Sequence, residues 1–453
     1  MTARASSAQS PGPAGAFAYP QRVRRSVRQW VRALRVGLLW ALCSGPAIAG
    51  PPPAVAQASP ECLERLLREL GWQVTRNDVA SPRVHGGSPC TRGSLADAQS
   101  QGDLRLVLPI AAAAADDRAT LQALLDDPAT LCAYAFRLGD AARQATQALQ
   151  ANPGFRFTAV QLGWIGFGWA GPQAQGWQRT RALGRGFEPS AGNARAMEAF
   201  YTGQVRAECG VGRQIAQLAT QRELYGDAGF DAAFAAQELS IGTFNVLHGT
   251  DSILLGHHAG ELFADGKARR TSALGRQAFM GVPGFIEHAY SPWYLDDISN
   301  RAENFIVVDV SDAAAQALAA HGGFGYYDQA NRRLWALSRQ LEAGGKRYFE
   351  RLLYERDPAL RARLDPHARD VVAQMDAVLD DPFYRGFVIY VHPRGIKPVG
   401  YHIARLLDRN PRTPFTLELT LHNLHTTLYR RWLDYRLHAC AELSAGTSAE
   451  TNR

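Results

Sequence analysis

Apolar positions recur along this chain with two periods, and the change from one period to the other marks its elements. Leu63, Leu66, Leu67 and Leu70 repeat at helical spacing and predict a short amphipathic helix from Glu61. Helical spacing returns over Ala119–Gln150, with Asp127-Pro128 as a turn and helix start, and again over Asn193–Phe200. Gly203 breaks that pattern. Val211, Ile215 and Leu218 then stand at i, i+4 and i+7. They predict a core-facing helix that opens at Cys209 and runs to about Tyr225, before a turn at Gly226-Asp227. Phe230 and Phe234, four apart, continue as helix.

β-prone runs appear at Leu104–Ile110 and at Asn304–Val310, where Phe305-Ile306-Val307-Val308 is continuous. The aromatic stretch Phe155–Trp177 reads as a strand or hairpin, and residues 240–285 as loop-rich. Asn331–Ala377 is helical in spacing. Phe387–Val391 reads as a strand, Pro393-Arg394-Gly395 as a turn, and Val399–Ile403 as a second strand. Thr413, with Pro414 at the first position, is expected to cap a long helix. Leu417, Leu421, Leu424, Leu428, Trp432 and Tyr435 would form its buried stripe. No internal repeat is evident, and the mixture predicts an α+β protein.

Composition changes this picture at the N-terminus. The chain of 453 residues carries a formal charge of +7, but the excess is local. Arg4, Arg22, Arg24, Arg25, Arg28, Arg32 and Arg35 precede residue 50, where there is no Asp or Glu, and subtracting those seven from 49 leaves 42 basic against 42 acidic residues. Nucleic acid is therefore not an expected partner. The basic segment leads into an apolar run, Val36–Leu42, and then small-residue sites at Ala49 and Ala56. That order reads as a secretory leader and Pro/Ala-rich spacer over residues 1–56, too short in its apolar part for stable membrane insertion. Export to the periplasm or beyond is the expectation.

An exported chain would retain Cys62, Cys90, Cys132, Cys209 and Cys440, an odd number, so one thiol stays free. Cys209 is the natural one. The pairing taken for the rest, which spacing alone does not determine, is Cys62–Cys90 and Cys132–Cys440.

Metal and cofactor signatures are thin. There is no C-x-x-C, H-E-x-x-H or P-loop, and only His248, His257, His258 and Glu261 cluster in sequence as possible zinc ligands. Gly166-Phe167-Gly168-Trp169-Ala170-Gly171 matches a dinucleotide glycine pattern in letters, yet Pro172 follows where a helix should open, so a tight hairpin is expected. No cofactor or metal is assigned. Cys209, by contrast, falls in the first turn of a helix, where backbone N–H groups and the helix dipole favour a thiolate. A Cys/His enzyme needs a histidine on a strand beside that helix, and His321, His392 and His402 are the candidates. A small core cysteine is the competing reading.

Several landmarks occur in a fixed order around Cys209. Pro189-Ser190, Ala194-Arg195-Ala196-Met197 and Phe200-Tyr201 precede Glu208-Cys209; Phe230 and Phe234 follow. Arg301-Ala302-Glu303-Asn304 then opens a strand, and Ala320-His321-Gly322 lies beyond it. In this order, residues of about 130–325 resemble the spore-coat transglutaminases of endospore-forming bacteria, whose fold is related to the papain-like NlpC/P60 group. The resemblance implies a papain-like core, with the nucleophile at a helix N-terminus on a small antiparallel sheet. It implies Cys209 as nucleophile, Glu303 as its main partner, Glu208 as an auxiliary carboxylate and His321 lining the site. Backbone N–H groups at the helix start would serve the oxyanion. The activity implied is attack on a protein glutamine amide, release of ammonia and transfer of the acyl group to a lysine amine, without metal.

The family's tryptophan three residues before its glutamate is Asn300 here, and a second has only Gly242 or Phe244 near its place. Those substitutions leave open a cysteine amidase or peptidase of the same fold, acting on glutamine side chains or cell-wall peptides, with water as acceptor. A secreted binding or structural protein is a further alternative. By this reading residues 57–130 form a cysteine-bearing N-terminal region and 131–330 the catalytic core. Residues 331–443 would be a mostly helical extension and 444–453 a disordered tail. Three lysines, Lys267, Lys346 and Lys397, among 49 basic residues would limit self-cross-linking, although codon bias accounts for the same scarcity.

Overall fold

A computed structural model describes residues 58–70, 73–76, 82–85, 117–158, 162–163, 166–167, 171–172, 176–179, 186–242, 261–262, 276–288, 302–342, 344–345, 347–407, 417–423 and 425–450. The leader, Cys90, the expected strand at Leu104–Ile110, and His248, His257 and His258 lie outside the described residues.

The N-terminal elements follow their patterns. Helix α1 (Pro60–Glu69) is capped by Ser59, whose hydroxyl accepts from the Cys62 N–H at 3.4 Å, and Pro60 occupies a position that needs no N–H. Strands β1 (Gln73–Arg76) and β2 (Pro82–His85) pair antiparallel. Helices α2 (Asp117–Leu125) and α3 (Pro128–Ala151) divide at the expected Asp127-Pro128 turn. The aromatic stretch resolves into short strands: β3 (Phe155–Phe157), β4 (Leu162–Gly163), β5 (Gly166–Phe167), β6 (Gly171–Pro172) and β7 (Trp177–Arg179), followed by β8 (Gly186–Pro189). Because β4 pairs antiparallel with β5, the glycine run begins in a hairpin, and no helix opens at its end.

Helix α4 (Asn193–Thr202), strand β9 (Val205–Ala207) and helix α5 (Cys209–Ala233) come next. β9 is parallel to β3 and antiparallel to β6. Helix α5 continues past Tyr225 through a kink at Gly226, whose φ of 70° a side chain would resist. β10 (Ile241–Gly242) pairs with β8.

The principal sheet holds β11 (Glu261–Leu262), β12 (Pro283–His288), β13 (Ala302–Val310), β14 (Phe387–Val391), β15 (Gly395–Pro398) and β16 (Leu417–Asn423). Their order is β11-β16-β12-β13-β14-β15, with every neighbouring pair antiparallel. β13 lies inside the sheet, and Phe305, Ile306, Val307 and Val308 are all buried. Both of its faces are covered, which is why its sequence is a continuous apolar run rather than an alternating one. Ile306 and Val308, with Tyr390 of β14, join Val211, Ile215 and Leu218 of α5 in one core. Phe305, Val307 and Val310, with Phe387 and Ile389, join a second core. That core is built with α6 (Asp312–Ala320), α7 (Phe324–Ser338), α8 (Pro358–Arg361), α9 (Pro366–Leu379), α10 (Pro382–Gly386) and α11 (Val399–Leu406). Each fully buried Val, Ile or Phe contributes about 1.5–3 kcal/mol.

Three expectations for the C-terminal region are corrected. Val399–Ile403 is not a strand; β15 ends at Pro398, and Val399, Ile403 and Leu406 give α11 a buried helical stripe. Residues from Leu417 do not open the long helix; they form β16, and helix α12 (His425–Glu450) begins after it and extends to Glu450. Leu417, Leu419 and Leu421 alternate as well as they fit a four-residue repeat, and the available side of β12 decided between the two. Residues after 330 are therefore no appended extension. They supply three of the six strands, and Ala54–Arg453 forms one compact unit.

The disulfide expectation is corrected too. Cys62 bonds to Cys440, with Cα atoms 5.9 Å apart, joining α1 to α12. Cys132 is also disulfide-bonded, and Cys209 is the free cysteine among the described residues. Among those residues no helix is long and apolar enough to cross a membrane.

Candidate active site

Glu208 is the N-cap of α5, an uncommon residue in that position. Its carboxylate accepts from the Gly210 N–H at 2.5 Å and the Val211 N–H at 2.8 Å, satisfying two of the helix's unpaired donors. Gly210 permits this: a Cβ there would lie 2.7 Å from a Glu208 carboxylate oxygen. The helix start is thus occupied by the protein's own carboxylate. The expectation that first-turn N–H groups serve an oxyanion is therefore corrected for Gly210 and Val211.

Cys209 is the first residue of α5 and is half-buried. Asn304 of β13 donates from Nδ2 to its Sγ at 3.5 Å. Burial, and then the Glu208 carboxylate, push the thiol up to about 11, while Asn304 acts in the opposite direction. At neutral pH the group is a protonated thiol.

Strand geometry decides which neighbour Cys209 has. Successive side chains of β13 point to opposite faces, so Glu303 and Asn304 cannot both meet the thiol. Asn304 takes the α5 side, where it meets Cys209, whose own apolar packing is against the second core. Glu303 takes the other, buried beside α11: its Oε2 lies 2.8 Å from His402 Nδ1, and Arg405 donates to its Oε1. Where the resemblance sets Glu303 against the thiol, the structure sets Asn304. A carboxylate only accepts, so His402 carries its proton on Nδ1. Burial first, then Arg394 and Lys397, push this ring down to about 3, and its Nε2 has no partner.

His392 belongs to the thiol side. It follows β14 directly, and extending the Ile306–Tyr390 register by two residues brings it alongside Asn304. Its side chain packs on the first turn of α5, where a Cβ on Gly212 would come within 2.4 Å of the His392 Cβ. The ring stacks on Phe155, with centroids 3.9 Å apart. Burial lowers it to about 4, opposed by hydrogen bonding to the backbone at Arg156 and Ala207, and its Nε2 has no partner. It is a neutral imidazole with an open nitrogen, buried at the start of the nucleophile helix.

His321 is elsewhere. It ends α6, stacks on Tyr326 with centroids 3.8 Å apart, and sits 3.7 Å from Asp381, in the layer of helices packed with Glu303's face. The structure therefore brings Cys209, Glu208 and Asn304 together, sets His392 against the same helix turn at Gly212, and places Glu303 and His321 on the other side. Asn304 was legible as the strand neighbour of Glu303. The Gly210 and Gly212 positions signalled close approaches to the helix start without saying by what.

Among the described residues no group of three or more His, Cys, Asp and Glu is placed to hold a metal ion. No protein-family model, curated protein or solved structure matches this chain.

Proposed function

We propose that this protein is an exported cysteine-dependent acyl-transfer enzyme of papain-like type, acting on the side-chain amide of protein-bound glutamine. The observation that carries the reading is a thiol outside any disulfide at the head of a sheet-packed helix, held by Asn304, with the neutral ring of His392 packed on the same helix turn at Gly212. Thiol and imidazole both rest uncharged, and the separation of their pKa values makes a standing ion pair costly. The proton therefore leaves Sγ as the S–C bond forms, with His392 as general base. The same proton then passes to the departing nitrogen as the C–N bond breaks. Ammonia leaves and an acyl-thioester remains.

The reverse sequence with a lysine amine makes an isopeptide bond and restores the thiol. The amine acceptor rests on the transglutaminase resemblance; with water as acceptor the same intermediate makes the protein an amidase. Glu303, with both oxygens engaged, acts in this scheme as a positioning residue that anchors β13 from behind.

The test uses the chain from residue 57 with casein and a fluorescent primary amine, and ammonia release measured in parallel. Amine incorporation that disappears in Cys209→Ala is expected. Ammonia without incorporation would make water the acceptor, and inactivity of the folded wild type in both assays would leave a binding protein.

A further inference from the structure

One side chain beside Cys209 is not used by the scheme above. Arg213 lies four residues along α5 from Cys209 and so on the same face of the helix. Helical side chains lean toward the N-terminus, which carries its guanidinium back over the turn that holds the thiol. It is only 4% exposed, and neither Nε nor Nη1 has a hydrogen-bond partner. An arginine buried with open donors is costly, because a desolvated charge needs a compensating one.

The nearest counter-charge, Glu208, acts on it only through space. Glu208 makes no ion pair with Arg213; its two oxygens are turned to the Gly210 and Val211 N–H groups. Cys209 remains a neutral thiol. Burial draws the guanidinium down to about 10, with Glu208 and Cys209 opposing, so it stays a cation at neutral pH. The first turns of α5 thus hold a nucleophile and a buried cation with two unfilled donors, beside a carboxylate already seated on the first N–H groups.

We infer that Arg213 makes the turn beside Cys209 an anion site, and that the acyl donor taken there carries a carboxylate that meets the guanidinium while its amide carbon meets Sγ. The substrate half of this inference rests on the acyl-transfer reading; the anion site does not. The donor class is a carboxamide bearing a free carboxylate close by, as in a glutamine near a peptide C-terminus or beside an acidic residue. A neutral donor of the same length binds without filling the site.

Two alkylating agents of nearly the same size separate the two halves. Iodoacetate and iodoacetamide both form an S–CH2 bond with loss of iodide, but only the first is an anion. Mass spectrometry of the Cys209 peptide is expected to give an iodoacetate-to-iodoacetamide rate ratio about tenfold above that of glutathione, the scale of one charge-assisted hydrogen bond. Arg213→Gln should return the ratio to the glutathione value, and Arg213→Lys should keep part of it. Arg213→Gln should also melt higher than the wild type, since it removes a buried charge that makes no ion pair. A wild-type ratio no higher than glutathione's, or one unchanged in Arg213→Gln, overturns the anion site.

Acyl transfer to hydroxylamine from N-acetyl-glutaminyl-glycine, compared with its C-terminal amide, then tests the substrate class. A kcat/KM preference of about tenfold for the acid, lost in Arg213→Gln, is expected. Anion-selective alkylation with no turnover of either donor would retain the site and remove the acyl-transfer reading. Equal turnover of both donors would retain the enzyme and overturn the carboxylate preference.

Discussion

The two faces of strand β13 carry adjacent polar residues in opposite circumstances. On one face Glu303 is buried and closed, with both oxygens engaged by His402 and Arg405. On the other, Asn304 reaches a half-buried thiol, near a histidine nitrogen and arginine donors that have no partner. A satisfied buried network stiffens a structure, and an unsatisfied one persists where something else completes it. His402 Nε2 on the Glu303 face also lacks a partner, so the contrast rests on the thiol. Chemistry goes to the face that meets Cys209 and support to the face where the Glu303 carboxylate is closed, although the glutamate is the residue to which a family resemblance would point.

Substitutions can break that contrast. The largest effect is expected from His392→Gln, which removes the proposed general base and should lower acyl transfer by about 10²–10⁴-fold, with the fold retained by circular dichroism. Undiminished activity would return the partner role to Glu303 or another group. Glu303→Gln should act chiefly on stability. Leaving Arg405 without its carboxylate costs about 3–5 kcal/mol, read from urea unfolding. A variant that unfolds like the wild type yet has lost all activity would reverse the assignment of the two faces.

The smallest effect separates two roles of one carboxylate. Glu208→Ala removes an N-cap and should cost about 1 kcal/mol in unfolding. The same change removes the charge that helps hold the thiol near 11. The thiolate is the reactive form, so a lower pKa means more of it below pH 11, and alkylation of Cys209 at pH 8 should become faster. Asn304→Ala should have the opposite sign, because Asn304 favours the thiolate, and its alkylation rate at pH 8 should fall. Equal rates in both variants would show that burial alone sets the thiol.

Much of the fold was readable from local pattern. The helix opening at Cys209, the strand through Phe305–Val308 and the split at Asp127-Pro128 all follow from spacings of a few residues. Where two periods fit equally, pattern did not suffice. Leu417, Leu421 and Leu424 satisfy a helix, Leu417, Leu419 and Leu421 a strand, and hydrogen bonding to β11 and β12 made the choice. Cysteine pairing was open for a similar reason: the Cys62–Cys440 bond spans a sequence separation of 378, and nothing near either cysteine encodes the other.

The sequence by itself determined most of the elements and the place of Cys209 at a helix start, because burial and capping repeat within one or two turns of the chain. Only the tertiary structure decided the company that thiol keeps. Strand alternation turned Glu303 away and Asn304 toward it, antiparallel register carried His392 alongside Asn304, and burial left two Arg213 donors open. Those relations join residues as far as 95 positions apart or more. They depend on which faces pack together, which local periodicity does not specify.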